Sequence, residues 1–258
     1  MTVSTAALVG CATTETAGGG GKTHIDDSRL TGLSVNQLSP VTEQQQLLDK
    51  AERDLESARQ TQQETESRIR LALTEHDVSE AQLGQAKTEA DLTKKNLKQL
   101  ADTGVDAGQI KAMASTNDLR AQQEKVATAN RDVEEAQLRL KAVNAKIDYL
   151  KSLDQVAKRT ITYDEKSIGL QRAKLEQAKY QALLGAHPGQ AKSLSVRQAD
   201  YDALIARNEA EVANANSDWA RKRAEATEKY QVWIAADEKS GHKPIAPEAA
   251  SVPPPPKG

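Results

Sequence analysis

From Leu48 to Leu100, small and apolar residues return at alternating steps of three and four without a slip: Leu48, Ala51, Leu55, Ala58, Gln62, Thr65, Ile69, Ala72, His76, Ser79, Leu83, Ala86, Ala90, Thr93, Leu97 and Leu100. A repeat averaging 3.5 residues keeps one stripe of an α-helix turned toward a partner over many turns, which is the pattern of a coiled coil and not of a globular helix. A strand needs alternation by two, and no segment of this chain has it.

The frame predicts a first helix from Ser39-Pro40, a capping residue followed by a proline at the first helical position, to Asp102-Thr103-Gly104. Asp106 and Gln109 then form a capping pair for a second helix. A connection this short makes the second helix antiparallel to the first. Its own frame runs through Leu119, Val126, Val133, Leu140, Ile147, Asp154, Ile161, Ile168, Leu175 and Ala182. A turn centred on Gly104-Val105 pairs Leu97 with Ala112, Ala90 with Leu119, Leu83 with Val126 and Ile69 with Leu140, all seam positions in both helices. Gly185-Ala186-His187-Pro188-Gly189 breaks the second helix, and a third carries Tyr201, Ile205, Asn208, Val212, Ala215, Trp219, Lys222, Ala226, Lys229 and Trp233. The expected fold is all-α: an elongated antiparallel coiled coil of three long helices, about 40–102, 107–184 and 190–239, roughly 95, 115 and 75 Å long.

Composition agrees with thin seams. The chain has 258 residues, no Phe, 3% aromatics and 28% charged residues, and its apolar fraction is dominated by Ala. Such a chain does not build the thick core of an ordinary enzyme. All the aromatics lie from Tyr149 onward, which predicts a wider, better-filled zone where the third helix joins. With 35 Lys and Arg against 37 Asp and Glu, there is no basic field for nucleic acid, and none is expected as a partner.

The ends differ from the body. Residues 11–39 are rich in Thr, Gly and Asp and are expected to form a flexible tether; residues 240–258, closing with Pro253-Pro254-Pro255-Pro256, are expected to form an extended, unpacked tail. Gly18-Gly19-Gly20-Gly21-Lys22-Thr23 does not make a phosphate loop, because Thr16 stands where the motif needs glycine and no strand precedes it. The only cysteine is Cys11, which excludes an internal disulfide.

Leu8-Val9-Gly10-Cys11 resembles the lipobox of bacterial lipoproteins, within residues 1–10 of a partial signal segment. The resemblance implies cleavage before Cys11, diacylglycerol on its thiol and a membrane anchor of several acyl chains. No Lys or Arg precedes Cys11, so the basic start of an export signal is expected upstream of Met1. Ala12, where enteric lipoproteins retained in the inner membrane carry Asp, points to the outer membrane, facing the periplasm. Separately, the hairpin from Leu97 to Leu150 is similar to the α-hairpins of periplasmic adaptor and TolC-type transport proteins, although the chain has no strands for an adaptor's β-domains.

Sites of chemistry are few. His24, His76, His187 and His242 have no second His or Cys at metal-ligand spacing, and neither a metal, a cofactor nor a catalytic residue is expected. His24-Ile25-Asp26-Asp27 reads as solvated tether. His76 and Ser79 are polar seam positions, opposite Val133 and Ala129, of the kind that set register and oligomeric state. Asp154 and Asp164, also in the seam, suggest that part of the second helix faces water or a partner. Lys94, Lys95, Lys98 and Lys111 make the turn basic, through the helix dipole or for contact with anionic cell-wall polymer. The reading is therefore of a non-enzymatic, lipid-anchored spacer or scaffold in the cell envelope, with an accessory role in an export complex and an unanchored cytosolic coiled coil as alternatives. Self-association along the two-helix stretch is expected, because Ala- and Gln-rich seams bury little area.

Overall fold

The computed structural model describes residues 23–104 and 109–241, with side chains described outside 102–117. Four α-helices follow one another: α1 (Val35–Gly104), α2 (Gln109–Ala186), the short α3 (Pro188–Ser193) and α4 (Gln198–Lys239), preceded by a 3-10 helix at Asp27–Leu30. There is no strand among the described residues, and the long helices pack against one another, so the fold is all-α and coiled-coil in character. Cys11, the glycine run, Asp106 and the proline tail lie outside the described residues.

The heptad frames match the burial. On α1 every frame position from Leu48 to Leu97 is buried or half-buried, and on α2 the same holds from Leu119 to Ala182. In α4 the frame fails once: Lys229 is exposed and its neighbour Tyr230 packs inward instead. The β-branched stretch Thr160-Ile161-Thr162 does not interrupt α2, and within it the Thr160 and Thr162 hydroxyls donate to the carbonyls of Val156 and Lys158.

The pairing of α1 with α2 is antiparallel, but its register differs from the expected one. Gln122 Nε2 donates to the Thr93 carbonyl at 3.2 Å, Lys146 Nζ meets Glu75 Oε2 at 2.6 Å, and Arg59 meets Glu165 at 3.7 Å. Each partner lies roughly one to two heptads further along α2 than the turn at Gly104-Val105 would place it. Ile69 and Ala72 accordingly pack with Val143 and Ile147, and the Gln122–Thr93 and Lys146–Glu75 bonds on either side of His76 set it against residues further along α2 than Val133. Sliding a heptad seam by seven residues again sets seam positions against seam positions, so frames that match across a turn do not choose between registers.

The helix ends also differ from expectation. Ser34, not Ser39, starts α1: its N–H and hydroxyl both donate to Gln37 Oε1, at 2.9 and 3.0 Å, which is one half of a capping box, and Pro40 lies inside the helix. The expected third helix is split into α3 and α4, and α4 begins at Gln198, where the Arg197 N–H donates to Asp200 Oδ2 at 2.8 Å. Gly241, with φ +80°, closes α4 in the left-handed conformation.

The described residues divide into two units, those up to Leu48 with 171–207 and those of 49–170 with the residues from Asn208 onward. In the first, Ile25, Leu30, Tyr180, Leu183, Ala191, Val196 and Tyr201 form one buried cluster. In the second, Val143, Ile147, Tyr149, Leu150 and Leu153 of α2 pack with Ala72 of α1 and with Trp219, Ala226 and Trp233 of α4. Tyr149 stacks on Trp233 at 5.5 Å between ring centroids and meets Tyr230 at 5.3 Å. This is the aromatic-filled three-helix zone that the aromatic distribution predicts.

Candidate functional site

The segment expected to be slack, residues 23–39, is folded from Thr23 onward. Ile25 is 1% exposed and Leu30 8%, both seated against Tyr180, Leu183 and Tyr201. Asp26 caps the 3-10 helix through the Ser28 N–H, and Gly32, at φ +94°, turns the chain toward Ser34 and α1. Two apolar residues, Ile25 and Leu30, on either side of a polar capping sequence are the sequence signal for this docking, and Thr-, Gly- and Asp-rich composition masked it.

A polar cluster, covered at Glu176 and Lys179 and exposed at His24 and Asp27, fixes this strap to α2. Glu176 accepts the Ile25 N–H at 2.6 Å and lies 3.2 Å from His24 Nδ1. Lys179, with a side chain only 8% exposed, meets Asp27 at 2.7 Å and Glu176 at 3.2 Å. Burial by itself would lower the Lys179 ammonium; the Asp27 hydrogen bond and the Glu176 carboxylate outweigh it and hold the group above the usual lysine value. From α4, the Tyr201 hydroxyl donates to the Thr23 carbonyl at 3.0 Å. Burial, with Glu176, Tyr180 and Asp200 nearby, pushes that phenol up to about 12. His24-Ile25-Asp26-Asp27 is thus a clamped element and not solvated tether.

The polar seam residues fall in the other unit. The Ser79 hydroxyl donates to the Glu75 carbonyl at 2.8 Å, so its hydrogen bond is made within its own helix and not across the seam. His76 is half-buried, with Nδ1 3.4 Å from Asp77 Oδ1. Ligand atoms of His76, Asp77 and Glu80 lie within 4.8 Å of one another, as three positions within one turn of α1 will. That proximity follows from helix geometry and assigns no metal.

Asp154 and Asp164 do not face water. Asp154 is 8% exposed and bonded to Lys158 Nζ at 2.7 Å, while its other oxygen is buried without a partner. Asp164 is 6% exposed; burial, then the Asp54 carboxylate, pushes it up to about 6. A neighbour one turn away pairs with the first, whereas the second is relieved by protonation only below about pH 6 and is a buried carboxylate above it.

An open groove of about 410 Å³ lies in the same unit where α4 stops, between Leu71 and Val78 of α1, Ala142 and Val143 of α2, and Trp233 and Ser240 of α4. No helix among the described residues is long and apolar enough to cross a membrane. Comparison with family models, with curated proteins and with solved structures finds no match for this chain.

Proposed function

We propose that this chain is a lipid-anchored, non-enzymatic coiled-coil protein of the bacterial cell envelope, a spacer or scaffold held at the outer membrane through Cys11 and facing the periplasm. The clamped strap is the observation that carries the reading. Residues 12–22 alone separate the lipobox-like Cys11 from Thr23, and from Thr23 onward the chain is buttoned onto its helices by Ile25, Glu176 and Lys179. An anchor followed by a short leader and a fixed attachment point suits a protein that holds a partner or cell-wall polymer at a set distance. A long slack tether would not.

Palmitate labelling of the full chain in a bacterial host, beside Cys11→Ser, tests the anchor. Label in the parent and none in the variant is expected; no label in the parent removes the lipoprotein reading and leaves an unanchored coiled coil. Pull-down from crosslinked envelopes then reads the partner. Peptidoglycan or a structural envelope protein supports the spacer, whereas a channel or pump component assigns the accessory role in export that the α1–α2 hairpin suggests.

A further inference from the structure

Among the described residues, Gly84 of α1 and Gly169 of α2 lie inside the long helices, well away from their ends. Gly169 packs against α4, with Asn208 Oδ1 3.6 Å from where a Cβ would stand. Gly84 has no such neighbour: no side chain and no other helix comes within 4 Å of that place. Packing therefore does not call for glycine at Gly84, and glycine there lowers the local helix equilibrium about fivefold relative to alanine.

The position of Gly84 along α1 gives this weakness a consequence. At its end α4 borders Val78, Ser79 and Gln82 of α1 and Leu138 and Arg139 of α2, with Ser240 touching both sides. Gly84 stands in the first turn of α1 beyond that level. Before it, Val143, Ile147, Leu150 and Leu153 of α2 are enclosed by three helices and buried. Beyond it, Val126, Val133 and Ala136 are half-buried, and the seam narrows to Ala86 and Ala90 on α1 against Ala129 on α2. The Thr88 hydroxyl donates to the Gly84 carbonyl at 2.9 Å, a contact that competes with the helix's own bond and favours bending. Each side of this level is tied across the hairpin, by Lys146 to Glu75 at 2.6 Å before it and by Gln122 to the Thr93 carbonyl at 3.2 Å beyond it. Bending is thus concentrated in the turns between those two ties.

We propose that Gly84 is a hinge, about which the two-helix arm, residues 85–104 with 109–133, swings as one body against the three-helix stretch. The hinge belongs to the helical body and does not rest on the lipid anchor. It lets the arm, which carries the exposed Lys94, Lys95 and Lys98, change direction while its length stays fixed.

Spin-label distance distributions in the full chain, with Cys11→Ser to leave no other thiol, read the motion. One pair, Arg70→Cys/Lys98→Cys, spans Gly84; a second, Arg53→Cys/Ala81→Cys, ends before it. All four positions are exposed, and each pair is four heptads apart, roughly 42 Å along a straight helix. The distribution across Gly84 is expected to be at least twice as wide as that of the second pair. Gly84→Ala puts a methyl group into open space and so leaves the fold intact. It should narrow the first distribution to the width of the second and slow amide exchange at residues 85–88 about fivefold. Equal widths in the parent overturn the proposal. So does a width across Gly84 that alanine leaves unchanged, even with slowed exchange, because the glycine then weakens one turn without acting as a hinge.

Discussion

Asp164→Asn should make the unit containing α4 more stable near neutral pH and leave the gain absent in acid. Asp164 is 6% exposed in the seam, and burial followed by repulsion from Asp54 raises its pKa from 3.8 to about 6. Below pH ~4 the carboxyl is protonated in folded and unfolded chains alike, and the stability that goes with the neutral form is fully present. As pH rises from about 4 to about 6 the unfolded chain ionises first, so this stability is lost, and above about 6 the fold carries a buried carboxylate. At 1.36 kcal/mol per pH unit the penalty is about 3 kcal/mol. Asparagine removes the titration while leaving a buried amide, so the quantity to measure is the change in the variant-minus-parent difference with pH. Urea unfolding followed by tryptophan fluorescence suits it, because Trp219 and Trp233 both pack in this unit. The difference should rise by about 3 kcal/mol between pH ~3.5 and pH ~7.5. Parallel pH profiles for the two chains would refute the assignment of a raised pKa to Asp164.

Three further outcomes follow from particular contacts. Glu176→Ala leaves Lys179 with Asp27 alone and removes the acceptor of the Ile25 N–H, a loss of about 1–3 kcal/mol to strap docking; tryptic cleavage after the exposed Arg29 should accelerate several-fold or more, and an unchanged rate would show that the strap is held otherwise. Ser34→Ala removes the hydroxyl bond to Gln37 and should weaken the first turn of α1 by about 0.5–1 kcal/mol, read as faster amide exchange there with no change around Tyr149. Trp233→Ala should lower stability by about 3–5 kcal/mol through loss of its stacking on Tyr149. Val232→Ala, at a side chain 55% exposed one residue earlier, should change it by no more than about 0.5 kcal/mol; equal losses at the two positions would contradict the packing of α4.

The period of the sequence by itself determined that the chain is helical and which residues of α1 and α2 turn inward, and the short connection between their frames determined that the two run antiparallel. Burial along a helix depends on its repeat, and a 3.5-residue repeat over many turns has one reading. Even the widening at the aromatics was legible, because Tyr149, Trp219 and Trp233 need more partners than a two-helix seam supplies. The start of α1 was legible in part. Its cap is Ser34 with Gln37, a pattern present in the chain, but Ser39-Pro40 a few residues on offers a second start signal of the same kind and concealed it.

Only the tertiary structure decided the rest, because it depends on contacts between residues far apart in the chain. The register of α1 on α2 is one, since a seam repeating every seven residues fits itself at several offsets and cross-helix pairs such as Glu75 with Lys146 select among them. The docking of Ile25 and Leu30 is another, because it needs Glu176, Lys179 and Tyr201, which the helices bring together from distant positions. The fate of the polar seam residues is the last: whether Ser79, Asp154 and Asp164 bond within their helix, pair one turn away or titrate at a raised pKa depends on the space and charge around each one, which a periodic pattern does not encode.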